Sequence, residues 1–255
     1  MIIRIVKSLT KIFVRLIFSG TGFPVKVGDG YWLLFHPKYF RWFTNTYERD
    51  HLNELKSLVV GHGVAIDIGA HFGLYSLIMA KYFDKKVISF EPTPYSAKIF
   101  RKNIWFNRLK EKIRFHQAAV GAVNGTASFL VQETDGAVSN SLIDYWHSDE
   151  TKYSIAVDVV AIDNIVDEPV DFIKIDAEGN ELDVLRGAIK TIEKNRPQIL
   201  LALHPAAIKE KGDELSQIWE LVAQLDYRVS YQSENMSRNA FIRSKELFDV
   251  IISPN

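Results

Sequence analysis

The chain has 255 residues, 47% of them hydrophobic and 24% charged, enough to bury the core of one large domain or of one domain with an appendage. Its 31 basic and 31 acidic residues cancel, so no global field recruits nucleic acid, and an RNA or DNA acceptor is disfavoured. With no cysteine there are no disulfides, thiolate metal sites or cysteine nucleophiles, which agrees with a reducing, cytoplasmic setting.

Met1–Ser19 is the compositional outlier. Arg4, Lys7, Lys11 and Arg15 recur every three or four residues and form one stripe on a helix, with Ile2, Ile5, Leu9, Ile12, Phe13, Leu16 and Ile17 around the rest. No apolar run of about 18 residues is present, so the segment should not span a bilayer. Its scattered charges and the lack of a small-residue cleavage site speak against a signal peptide. Such a helix either lies peripherally on an anionic membrane surface or docks on protein, its own domain or a second subunit of a homo-oligomer. Gly20–Asp29, with its glycines and Pro24, reads as a connector. Tyr31–Tyr47 is dense in aromatics (Tyr31, Trp32, Phe35, Tyr39, Phe40, Trp42, Phe43, Tyr47), which fill a seam against the main sheet or form a lid over a site; the seam is the more ordinary use. Residues 1–46 therefore form an appendage and 47–255 the main domain. A helix over Tyr47–Val60 ends at Gly61-His62-Gly63.

Val64–Gly73 (VAIDIGAHFG) organises the main domain. An apolar run reaches Asp67, a glycine-rich turn comes next, and helical spacing resumes through Leu74, Leu77 and Ile78: a buried parallel strand, a tight turn and a helix. The spacing is G-x-x-x-G and not the G-x-G-x-x-G that cradles a pyrophosphate. Glu91, about 20 residues on at the end of a second strand (Lys86–Glu91), stands where a carboxylate takes the two hydroxyls of a ribose. A glycine turn and a ribose acid without a pyrophosphate loop point to a nucleoside without phosphates, and S-adenosylmethionine fits best.

Pro94 opens a helix running to about Asn107, and Ile113–Ala119 is a third strand. Thr126–Val131 and Ile155–Val160 are paired strands around a polar loop, Glu133–His147, able to fold over a cofactor. Val170–Asp176 and Pro197–Leu203 are central strands, Glu181–Ile192 and Asp213–Leu225 helices, and Tyr227–Tyr231 and Phe248–Ile252 late strands. Strands alternating with helices make this an α/β chain with a doubly wound, mostly parallel, Rossmann-like sheet. In such a sheet ligands gather beyond the carboxyl ends of the strands, where Asp67, Glu91, Gln117, Asp176 with Glu178, and His204 converge.

The stretches DIGAHFGLYS (67–76), FEPTP (90–94), NGTASF (124–129), KIDAEGNELDVLRGA (174–188) and the pair His204-Pro205 resemble, in the same order, the FkbM-type methyltransferases of the class I superfamily. His71 stands where that family more often has Asn. The resemblance implies a seven-stranded class I sheet with an antiparallel last strand, S-adenosylmethionine as cofactor, and O-methylation of a sugar, glycan, glycolipid or polyketide-like small molecule.

The cofactor set expected from spacing and resemblance is Asp67, Gly69, Ala70, His71, Gly73, Tyr75, Glu91, Pro92, Gln117, Ala118 and Asp176. Asp67 and the turn backbone would hold the methionine part, Glu91 the ribose and Gln117 the adenine side. Read structurally instead, Asp67 is a helix cap and Glu91 a surface acid. Asp176, Glu178 and His204 remain for catalysis, His204 or a buried acid serving as base. A divalent ion held by these three is the competing mechanism and not the favoured one. Other readings are a degenerate fold used as a membrane- or partner-binding module, or a nicotinamide-dependent oxidoreductase, which the missing pyrophosphate spacing disfavours.

Overall fold

The computed structural model describes residues 14, 16–39, 48–132 and 152–255. Most of Met1–Ser19, the aromatics Phe40, Trp42, Phe43 and Tyr47, and the loop Glu133–His147 lie outside the described residues. Among those described, no helix is long and apolar enough to cross a membrane.

Gly20–Asp29 is not a plain connector. β1 (Phe23–Val27) and β2 (Tyr31–Phe35) form an antiparallel hairpin. Val25 and Val27 alternate with exposed Pro24 and Lys26 and are buried on the same side as Leu33 and Phe35, so period-two patterning wins and the glycines only mark the turn. Phe35 meets Phe72 edge-on, and Tyr31 packs on Tyr82 and Phe83, so the described part of the aromatic segment is a seam. α1 (Arg49–Leu58) then buries Leu52, Leu55 and Leu58.

The core elements come in order: β3 (Val64–Ile68), α2 (Leu74–Tyr82), β4 (Val87–Phe90), α3 (Pro94–Phe106), β5 (Ile113–His116), β6 (Ala119–Val120), β7 (Gly125–Gln132), β8 (Lys152–Val160) and β9 (Val170–Ile175). After them are α4 (Glu181–Arg186), α5 (Ile189–Asn195), β10 (Gln198–Leu203), α6 (Pro205–Glu210), α7 (Leu215–Gln224), β11 (Tyr227–Tyr231), β12 (Glu234–Asn235), α8 (Arg238–Arg243) and β13 (Phe248–Pro254).

The main sheet has eight strands in the order β12-β11-β13-β10-β9-β3-β4-β5. From β10 to β5 all neighbours are parallel, and β13 runs antiparallel between β10 and β11. This is the expected doubly wound sheet with an antiparallel last strand, lengthened at one edge by the two-residue β12. Successive strand residues bury opposite faces: Ile66, Ile173 and Leu201 pack under α4 and α7, while Ala65, Phe172 and Leu200 share a core with α2, α3 and the hairpin. The strand order reverses between β3 and β9, the switch point at which an open α/β sheet leaves a crevice.

Two elements break where continuity was expected. β5 stops at His116, and Ala119-Val120 leaves the sheet to pair with Val159-Val160 in a separate three-stranded sheet, β6-β8-β7. The helix over Glu181–Ile192 is two helices, α4 and α5. At the break Gly187 lies so close to Gly121 that a Cβ there would stand 2.1 Å from its carbonyl oxygen. That long-range approach is invisible in local helical spacing. α6 and α8 carry no expectation from the sequence either; α8 starts at Ser237, whose Oγ accepts from Ala240 N at 3.3 Å.

Candidate active site

A cavity of about 480 Å³ opens at the carboxyl ends of β3, β4, β9 and β10. One wall is the turn Gly69–Phe72 with Glu91, Pro92 and Ala118; the other carries Lys174, Asp176, Glu178 and His204, with Glu48 and Asp249 closing it.

The first wall is fixed by backbone. Gly69 has φ +73°, and a Cβ there would lie 1.9 Å from the carbonyl oxygen of Asp176, so the tips of β3 and β9 meet only because this residue is glycine. His71 has φ +51°, a region in which Asn and His are over-represented, which accounts for either residue at this place. Its amide donates to Glu91 Oε2 at 3.0 Å, while Thr93 donates its amide (2.9 Å) and its hydroxyl to Oε1. Glu91 is thus a buried acid and no surface residue. Burial outweighs these donors and raises its pKa. The His71 ring, packed against Phe72, is pushed by burial to about 4 and is neutral at pH 7.

Of the residues expected to hold the cofactor, Gly69, Ala70, His71, Tyr75, Glu91, Pro92, Ala118 and Asp176 line the cavity. Three stand off its wall. Asp67 is fully buried beneath the turn, where Oδ2 accepts from the Ser76 amide at 3.0 Å and so ties α2 to β3. Gly73 lies at the start of α2 under the Phe100 ring. Gln117 is exposed and accepts from Arg101 Nη1 at 3.0 Å, because the chain leaves β5 at His116 and turns Ala118 inward instead.

The second wall is made of charge. β9 ends at Ile175, and positive φ at Glu178 (49°) and Gly179 (102°) folds the chain back beside β10. The buried Lys174 ammonium is 3.3 Å from Asp176 and 3.7 Å from Asp67. Burial lowers its pKa, but these two charges more than offset that and the net shift is upward. For Asp176, burial pushes up while Lys174 and His204 pull the carboxyl below its ordinary range. His204, at the end of β10, donates Nδ1–H to Glu181 Oε1 at 2.8 Å; its Nε2 is 3.4 Å from Glu178 and 3.8 Å from Asp176. Burial lowers the imidazole pKa, yet the Glu181 bond and the neighbouring carboxylates carry it up to about 9. At neutral pH this side chain is an imidazolium and a donor; the proton-accepting atoms beside it are carboxylates.

Sequence reasoning passes over Glu181, Glu48 and Asp249. Glu181 is wholly buried on the first turn of α4 and orients His204, and its one sequence sign is an acid three residues after Glu178. Glu48 accepts from the Tyr75 hydroxyl at 2.8 Å and from His51 Nδ1 at 3.0 Å, and His51 Nε2 reaches Asp249 at 3.1 Å. Asp249 interrupts the apolar run of β13, which is its signal; Glu48 has none.

Residues 67–229 match the sequence model described as the methyltransferase FkbM domain. Methyltransferase sdnD of Sordaria araneosa is 24% identical over 212 residues, covering 66% of this chain and 80% of that protein. Methyltransferase 1 of Beauveria bassiana (strain ARSEF 2860) is 25% identical over 145 residues, 48% of this chain and 57% of the relative. The crystal structure of methyltransferase FkbM from Methylobacillus flagellatus KT is similar with a TM-score of 0.50 at 17% identity, over 77% of this chain and 45% of that one. The chain thus spans under half of that solved protein, and the likeness there is one of fold.

Proposed function

The chain belongs to the methyltransferase FkbM family, and from that premise we propose that it moves the methyl group of S-adenosylmethionine to a hydroxyl oxygen of a sugar, glycan, glycolipid or related small molecule. The observation that carries this reading is Glu91: a buried carboxylate on the cavity wall, held by the amides of His71 and Thr93, at the tip of the strand beside the glycine turn. Oε1 takes both Thr93 donors, while Oε2 takes the His71 amide alone and keeps acceptor capacity for a ribose hydroxyl. Charge supports the choice of cofactor. Among the described residues Glu48, Glu91, Asp176, Glu178 and Asp249 put carboxyl groups on the wall, against Lys174 and His204. Such a wall favours a cationic sulfonium and repels the phosphates of a dinucleotide or a nucleic acid.

Methyl transfer is an in-line displacement, so the protein has mainly to align the acceptor oxygen with the methyl carbon. The oxygen–carbon bond forms as the carbon–sulfur bond breaks, a neutral thioether leaves, and the hydroxyl proton passes to solvent. Asp176 and Glu178 accept the hydrogen bond of the incoming hydroxyl, and the paired carboxylates of this wall suit an acceptor with several hydroxyl donors. His204, clamped by Glu181, holds Asp176 and Glu178 in place.

Isothermal titration of the full chain with S-adenosylmethionine and S-adenosylhomocysteine tests the reading; binding of neither ends it. Glu91→Ala is expected to weaken both by about 10- to 100-fold, the loss of a charge-assisted hydrogen bond worth about 1.5–3 kcal/mol. Glu91→Gln, which keeps the shape, should fall between the two.

A further inference from the structure

We infer that Asp176, Glu178 and His204 form a divalent-cation site on the acceptor side of the cavity, deepening the methyl-transfer reading and resting on it. One ligand atom of each residue, two carboxylate oxygens and an imidazole nitrogen, lies within 4.8 Å of the other two. At 3.4 and 3.8 Å from the two carboxylates, Nε2 of His204 is too far for well-formed hydrogen bonds. Those separations are only slightly wider than the edge of about 3.0–3.4 Å between neighbouring ligands on an ion with bonds of about 2.1–2.4 Å. Asp176 divides its oxygens: Oδ2 takes Lys174, and Oδ1 faces His204. All three residues lie on the cavity wall, so an ion held there keeps open positions toward the acceptor.

A second observation comes from behind the imidazole. Glu181 is fully buried; Oε1 accepts from His204 Nδ1 and from the Gly179 amide, and Oε2 has no hydrogen-bond partner among the described residues. A carboxylate with an unsatisfied buried oxygen is costly unless the group it bonds is strongly polarised. A cation that displaces the Nε2 proton to solvent supplies that polarisation in the proton's place, and the Nδ1–H bond to Glu181 fixes the tautomer whose Nε2 lone pair faces the ion. This is the carboxylate–histidine–metal arrangement of metal centres. Its use here is to bind the acceptor hydroxyl directly and make it more acidic. The hydroxyl proton passes to solvent, the oxygen bonds the methyl carbon, and the carbon–sulfur bond breaks to the neutral thioether; nothing is oxidised or reduced.

The test is titration of the chelator-stripped full chain with Mn²⁺ alone, following the free ion by electron paramagnetic resonance. Wild type is expected to be saturated by about 1 mM ion. Glu178→Gln and His204→Gln should each weaken binding at least tenfold, while thermal scans show both variants folded. A wild-type chain that takes up no Mn²⁺, or variants that bind it like wild type, would overturn the site. Failure of the cofactor to bind, with Mn²⁺ bound normally, overturns the methyl-transfer reading instead.

Discussion

On the β3–β4 side of the cavity the polar groups are peptide amides and one acid they hold, whereas on the β9–β10 side they are ionisable side chains held by one another. His71 and Thr93 grip Glu91 through main-chain donors that no pH change removes. His204, Glu181, Glu178, Asp176 and Lys174 keep their arrangement through mutual charge. The first wall suits a ligand that is the same at every turnover, because its geometry is set by φ angles and strand ends. The second suits the step in which a proton moves, because its charge responds to what enters. The two walls touch where Gly69 meets the carbonyl of Asp176.

That junction yields the largest effect. Gly69→Ala places a Cβ 1.9 Å from the Asp176 carbonyl oxygen in a residue that also has positive φ, so either the β3 turn or the β9 tip must move. A loss of about 4 kcal/mol or more is expected, read as the shift in urea midpoint at constant slope. A variant that stays within about 1 kcal/mol of wild type would show the walls to be independent of each other.

The charged wall should show itself through pH. His204 titrates at about 9 in the folded chain against an ordinary value of 6.5, so the proton is held more tightly when folded. A raised pKa stabilises below the unfolded value, and that stabilisation is lost as pH rises through about 9. In chelator, wild type should lose on the order of 2–3 kcal/mol between pH 6 and pH 9.5 relative to His204→Gln, measured by chemical denaturation at both pH values. Parallel profiles for the two proteins would mean that the imidazole is not held as an imidazolium.

The same contrast separates what a sequence displays from what it hides. The apolar runs of β3, β4, β9 and β10 and the glycine turn are local signals, and by themselves they point to the parallel sheet and to Glu91 at a strand end, whereas the strand order that makes the switch point is set by long-range pairing. The hairpin is hidden by its glycines, although Val25 and Val27 already alternate with polar or turn-forming neighbours. Glu181 and Glu48 are illegible for another reason: each acquires its role from a partner far along the chain, Glu181 from His204 and Glu48 from Tyr75. Asp67 is an intermediate case. An acid at a strand end is plain in sequence, but whether it faces the crevice or turns down to Ser76 depends on the start of α2. Its side chain serves the first wall from below, by holding the helix whose first turn comes directly after the glycine loop.

The smallest effect concerns the same kind of ambiguity one strand over. Gln117 and Ala118 are adjacent, and which of them faces the cavity depends on β5 ending at His116. Gln117 reaches exposed Arg101, a surface contact of little energetic weight. Gln117→Ala should therefore change cofactor affinity less than twofold and stability by under about 0.5 kcal/mol. Ala118→Leu is the counterpart: it projects a larger side chain from the cavity wall into space a ligand would use, and it should weaken cofactor binding by more than Gln117→Ala does. Calorimetry on the pair decides the register at this strand end. If Gln117→Ala were the more damaging change, the chain would have to leave β5 one residue later, with Gln117 turned into the first wall and Ala118 out of it.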